Sequence, residues 1–122
     1  MAVVFRHCPL YRETLLSKAR AYPIVGQKMQ DFRAFKSANP LQQYGGSDKP
    51  FVGNGFFGNA VRGLKHAHLT HDIMVVYKLS GRDPTVFDLY GIFSHDELGI
   101  GQPANLKKQK SAASRLGNQD FS

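Results

Sequence analysis

The chain has 122 residues, a formal charge of +7 from 16 Lys and Arg against nine Asp and Glu, and one cysteine. A lone cysteine excludes an intramolecular disulfide framework, and this length favours one domain over several. The basic balance, with a pI of about 9.8, favours a polyanionic partner (RNA, DNA or a protein bearing acidic groups) without choosing among them.

Residues 2–8, "AVVFRHC", alternate Val3, Phe5 and His7 on one face and predict a strand. Cys8 at its end is read as a small buried hydrophobe rather than a nucleophile. Pro9 opens "PLYRETLLSKARAY", where Leu10, Leu15 and Leu16 lie near helical spacing. Proline is tolerated there because its missing N–H has no intrahelical partner in a first turn. Pro23 interrupts this helix, and "IVGQKMQDFRAFKSA" resumes it with Ile24, Val25, Met29, Phe32 and Phe35 at steps of three and four. Asn39-Pro40 ends the pair, and both helices carry basic outer faces.

"LQQYGGSDKPFVGNGFFGNA" has five glycines in twenty residues and reads as a loop with turns at 45–46 and 53–55. From Ala60 the pattern is β. "VRGLKHAHLT" alternates loosely, and Asp72 turns the chain into "IMVVYKL", whose unbroken apolar character fits a strand covered on both faces. "SGRDP" is a turn, "TVFDLYGIF" a further strand, and Ser94 is placed to cap a short helical turn in "SHDELG". The order β-α-α-loop-β-β-β predicts an α+β domain over 1–100, a small, largely antiparallel sheet with two N-terminal helices packed on one face. Residues 101–122, "GQPANLKKQKSAASRLGNQDFS", are polar and basic and predict a mobile tail. No long apolar run or signal-peptide pattern is present, which leads to an expectation of a cytoplasmic protein with no membrane partner.

"LKHAHLTHDIMVVYKL", residues 64–79, crowds three of the five histidines into six positions. Three chemistries fit it. His66 and His68, two apart on a strand, project from one face and form a metal site if His71 or His95 and Asp72 join them. Structural histidines, each half-buried with one satisfied ring nitrogen, are the plain reading for His7 and His71. Proton transfer is the third, because imidazole titrates near ~6.5 and one ring accepts a proton while another donates one. RNA suits such a pair. Its 2′-OH attacks the adjacent phosphate, so a base, an acid and cations suffice and no metal or other cofactor is needed. His68 and His95, with Asp72 nearby and Lys49, Arg62 or Lys65 as cations, supply those parts. On the residues alone all three readings stay open.

"AHLTHDIMVVYKL" followed by "GIFSHDEL" resembles the C-terminal half of the YafQ branch of RelE-type toxins. In that family, A-H and an aspartate four residues on precede an I-Y-K/R strand, and a later strand leads to G-x-x-S/T-H and a leucine. The resemblance covers residues 60–98 and extends to the strand-helix-helix start. It implies a RelE/ParE-like fold and a metal-independent mRNA interferase acting on mRNA in the ribosomal A site, leaving a 2′,3′-cyclic phosphate and silenced by a cognate antitoxin. Position by position it implies catalytic roles for His68, Asp72 and His95. Lys49, Arg62, Lys65 and Arg82 then become candidate phosphate ligands, and Lys107, Lys108 and Lys110 add long-range attraction for the ribosome.

This sequence departs from the family pattern in three places. Lys49 in "DKPF" stands where the family has a further histidine, Ile73 follows the aspartate in place of an aromatic, and Gly99 replaces a closing aromatic. Each lost ring removes a stacking surface of about 1–3 kcal/mol in single-strand binding, for which Phe56 and Phe57 are candidate replacements. Two alternatives accompany the nuclease. One is a non-catalytic RelE/ParE-fold protein that binds RNA, the ribosome or a protein target; the other is a metal protein built on His66, His68 and a third histidine.

Overall fold

The computed structural model describes residues 3–51, 63–82, 84–100 and 104–122. The sheet has five strands in the order β1-β5-β4-β3-β2. They are β1 (Val3–His7), β2 (Lys49–Pro50), β3 (Lys65–His68), β4 (Ile73–Arg82) and β5 (Thr85–Ser94). β1 runs parallel to β5, and every other pairing is antiparallel. The α+β architecture predicted from element order is the one found.

Helix α1 (Pro9–Ala21) starts on its proline, and α2 (Ile24–Ala38) follows after the break at Pro23. α2 buries Val25, Met29, Phe32 and Lys36, one stripe at steps of four, three and four. That stripe packs on the sheet face presenting Tyr77 and Phe87, with the Phe32 and Tyr77 rings 5.3 Å apart. Of the α1 leucines, Leu10 is buried while Leu16 is exposed; Tyr11 takes the inner position that spacing alone offered to leucine.

β4 lies between β5 and β3, and Ile73 to Tyr77 are all buried. This is the strand expected to be covered on both faces. It runs on through Ser80 to Arg82, past the predicted turn, by letting the register slip at Leu79/Gly81. A second slip at Val76/Tyr77 leaves Tyr90 unopposed, the extra residue of a bulge.

The C-terminal segment, expected as a polar basic tail, carries a helix. Residues Leu106–Leu116 form α4, capped by the Asn105 side chain, which accepts from the Lys108 N–H at 3.1 Å. Its few apolar residues are spaced to fall on one side, and Ala112 and Leu116 are buried. Sparse anchors therefore suffice, because they coincide on one helical stripe. Beyond α4, Ser122 exchanges two backbone hydrogen bonds with His7. Arg6 and Asp88 pair on the sheet face opposite Phe5 and Phe87, and Phe121 lies under the Arg6 guanidinium and against Tyr90. Beyond α3 (His95–Leu98), Phe121 thus covers part of the sheet face that carries Arg6 and Asp88. Among the described residues, no helix is long and apolar enough to cross a membrane.

Candidate active site

Strand register assembles the site. β3 and β4 form a hairpin whose turn is closed by Leu69 N–H donating to the Ile73 carbonyl at 2.8 Å and Ile73 N–H to the Thr70 hydroxyl at 3.1 Å. That register sets His68 opposite Met74, and Met74 opposite Phe93. Ile73 pairs with Ser94, so Asp72 and His95, one step further on each strand, meet at the same end of the sheet. His68 and His95, 27 positions apart in the chain, are thereby brought into contact as well.

His95 is the first residue of α3 rather than strand-borne, and a capping box holds that turn. The Glu97 N–H donates to Ser94 Oγ at 3.2 Å, and the Ser94 N–H donates to Glu97 Oε1 at 2.9 Å. Glu97 also pairs with Lys18 of α1 at 2.7 Å. The predicted cap at Ser94 is therefore present and ties α3 to α1.

The three residues singled out as catalytic form one chain of contacts. His95 Nδ1 lies 2.8 Å from Asp72 Oδ1, and His95 Nε2 lies 3.1 Å from His68 Nε2. The Asp72 carboxyl is held below its ordinary range, chiefly by the hydrogen bond from the His95 ring. An ionised Asp72 accepts from Nδ1–H, so the opposite nitrogen of His95 is the one turned to His68. The His68 pKa is lowered by burial first, then by the positive fields of His95, His71 and Lys49. The resulting arrangement is a carboxylate, an imidazole it orients, and a second imidazole that burial keeps neutral.

The other candidates are distributed unevenly. Lys49 pairs with His66 across β2–β3, which puts it on the histidine face, exposed, with its charge acting on both His66 and His68. Lys65 pairs with Tyr77 instead, and its Nζ lies 5.7 Å from that ring, on the α2 side of the sheet. It is not brought to the histidines. Arg62, Phe56 and Phe57, and the side chain of Arg82, lie outside the described residues. Lys108 pairs with Asp96 at 2.8 Å, while Lys107 and Lys110 are exposed on α4.

His66 has a different environment from its neighbours. It is 8% exposed, stacked on Phe51 with ring centroids 4.6 Å apart, and its Nδ1 is buried without a hydrogen-bond partner among the described residues. Burial, reinforced by His68 and Lys49, pushes its pKa down to about 4. The unfolded chain therefore binds a proton near ~6.5 that the folded chain refuses. Stability that is complete above pH ~6.5 falls as pH drops toward about 4, with a loss of about 2–3 kcal/mol by pH ~4.5. His66→Phe is expected to remove most of this loss, measured as the difference between urea unfolding free energies at neutral pH and in mild acid.

Among the described residues no three His, Cys, Asp or Glu groups converge in a geometry that holds a metal ion. His7, expected to be half-buried with one ring nitrogen satisfied, stacks on Tyr11 at 4.9 Å, and its buried Nε2 has no hydrogen-bond partner among the described residues. His71 is exposed in the hairpin turn. Cys8 is fully buried, as expected.

Sequence reading missed the buried pair Lys36–Asp48, 2.6 Å apart. Asp48 also accepts from the Tyr44 N–H at 2.8 Å and from the Tyr77 hydroxyl. Lys36 Nζ reaches the Gln42 carbonyl at 2.6 Å as well. Asp48 immediately precedes Lys49, so this network sets β2 and its lysine beside His66. The clue was available: Lys36 falls on the same α2 stripe as Val25, Met29 and Phe32.

Two solved structures share this architecture over nearly their whole length. One is a YoeB/ParE toxin from Agrobacterium tumefaciens, 17% identical, with a TM-score of 0.58 over 78% of this chain and 99% of that chain. The other is the E. coli DinJ-YafQ toxin-antitoxin complex, 17% identical, with a TM-score of 0.60 over 80% of this chain and 98% of that chain. The fold is that of the RelE/YafQ-like toxins. No known family profile matches the sequence, and no curated protein matches it either. Within this RelE/YafQ-like fold, Asp72, His68 and His95 stand where the hairpin turn and the end of β5 meet, and α4 packs against α3.

Proposed function

We propose that this chain is the toxin of a toxin–antitoxin pair and acts as a metal-independent endoribonuclease on ribosome-bound mRNA. The observation that carries the reading is the Asp72–His95–His68 chain of contacts on a basic protein of RelE/YafQ-like fold. In the free protein the facing Nε2 atoms share one proton. RNA enters by replacing that mutual hydrogen bond with one to the 2′-OH and one to the leaving 5′ oxygen. His68, whose charged form burial disfavours, takes the 2′ proton as general base. His95, whose positive form the Asp72 carboxylate compensates, protonates the 5′ oxygen as general acid. Atoms balance without a metal: the 2′ oxygen bonds to phosphorus, the P–O5′ bond breaks, and a 2′,3′-cyclic phosphate remains. Lys49 is the cation best placed to hold the phosphorane charge. Support for an antitoxin partner comes from the toxin–antitoxin complex that shares the fold.

The test is a purified translation system with a defined message and excess chelator. Discrete cleavage within the message, leaving 2′,3′-cyclic phosphate ends, is the expected result. Intact mRNA in every reaction would replace the nuclease with a protein that binds through its basic surface, and cleavage abolished by chelator would return the metal reading.

A further inference from the structure

His95 sits on a helix of four residues, His95–Leu98, which is too short to persist by its own hydrogen bonds. Its position must come from what grips it. At its N-terminus the capping box and Lys18 do so. At its C-terminus the grip belongs to α4. Gly99 adopts φ +72°, and its N–H donates to the Asp96 carbonyl at 3.1 Å. Its own carbonyl accepts twice, from the Asn105 N–H at 2.9 Å and from Gln109 Nε2 at 3.0 Å.

Approach here is closest at the backbone. A Cβ on Gly99 would meet the Asn105 carbonyl oxygen below contact distance and the Gln109 nitrogen at 2.8 Å, so glycine is required on steric as well as conformational grounds. Ile100 N–H then returns to the carbonyl of His95 itself at 3.1 Å. The last link to α4, Lys108–Asp96, involves an Asp96 side chain that is 82% exposed, and such a pair contributes little. Among the side chains of α4, Gln109 thus makes the half-buried bond to the α3 terminus.

We propose that Gln109 is a positioning residue for the histidine pair: by clasping α4 to the Gly99 carbonyl it fixes the turn that carries His95, and with it the contact between His95 and His68. Its consequence for cleavage rests on the nuclease reading above; its consequence for the rings does not.

The pair of variants that tests it is Gln109→Glu, nearly isosteric but without a donor, and Gln109→Lys, which keeps one. Ring nitrogen resonances of ¹⁵N-histidine-labelled protein are followed against pH in the absence of RNA. The parent and Gln109→Lys are expected to show the His68 ring titrating below an ordinary imidazole, lowered by burial and by the His95 ring beside it. In Gln109→Glu the His68 titration is expected to move back towards the ordinary value as the His95 ring leaves it, and mRNA cleavage is expected to fall by about ten- to a hundredfold, the cost of a small misplacement. Ring signals in Gln109→Glu that match the parent would overturn the proposal. A frayed α4, read from the backbone amides of 106–116, with unchanged ring signals would overturn it equally, since the rings would then be set without α4. Altered ring signals with no cleavage by any form, the parent included, would uphold the positioning role and remove the nuclease.

Discussion

His95→Ala is expected to lower mRNA cleavage by about two to four orders of magnitude, the range that a positioned general acid contributes. Folding should be almost untouched. The His95 side chain is 31% exposed and its ring contacts are polar, so a change within about 1 kcal/mol in urea unfolding is expected. Separation of the two effects is what identifies a chemical role. Asp72→Asn should cost less than removing the ring, because the amide keeps the site's shape while losing the charge that orients His95 and compensates its proton. The pH profile provides an independent check on the roles. If His68 works in its neutral form, its lowered pKa means that form persists into mild acid. The acid limb of the rate should therefore fall below the pH of an ordinary histidine, and His68→Ala should lose both the limb and the rate. An acid limb at or above pH ~6.5 in the parent would exchange the roles of the two rings.

Much of this site was legible before any coordinates. The reason is that its geometry follows from antiparallel register, which short motifs disclose. Asp72 at the head of one strand and His95 just past the end of the next are forced together once the strands pair, and the apolar run 73–77 specifies that pairing. Less local features were not legible. Lys65 and Lys49 look equivalent as cations in the sequence, yet the β2–β3 pairing puts them on opposite faces. That pairing depends on a glycine-rich segment whose pattern encodes no period. The helix within the C-terminal segment is not legible from composition, because composition averages over position. Residues 101–122 are polar in bulk, but Ala112 and Leu116 coincide on one helical stripe and Asn105 caps it. Lys36 was hidden for the opposite reason: its position on the α2 stripe marked it as buried, while its chemistry marked it as exposed. Position prevailed, because Asp48 was available to neutralise it.

That pair carries the largest stability effect to be expected from the structure. Lys36→Met is expected to destabilise the fold by about 3–5 kcal/mol, measured by urea unfolding at neutral pH. The methionine fills the same channel among Phe32, Tyr77 and Phe87, whose ring centres lie 5.6 to 5.9 Å from Nζ. Lost packing is therefore not the main cost. It comes from Asp48, fully buried, which keeps its two donors from Tyr44 and Tyr77 but loses the cation that made its charge tolerable there. The Tyr77 pKa is raised by burial and by the Asp48 carboxylate, so the phenol stays a donor and cannot relieve the charge. Adding Asp48→Asn to Lys36→Met should recover most of the loss, because the amide oxygen still accepts from the Tyr44 N–H, its NH2 donates to the Tyr77 oxygen once that hydroxyl turns, and no charge is left behind. A double variant as unstable as Lys36→Met alone would mean that the lysine's bond to the Gln42 carbonyl, not its charge, holds the loop. The recovered double variant also separates fold from function. It returns β2 to its place beside His66, so mRNA cleavage should recover in parallel with stability if Lys49 needs only to be positioned.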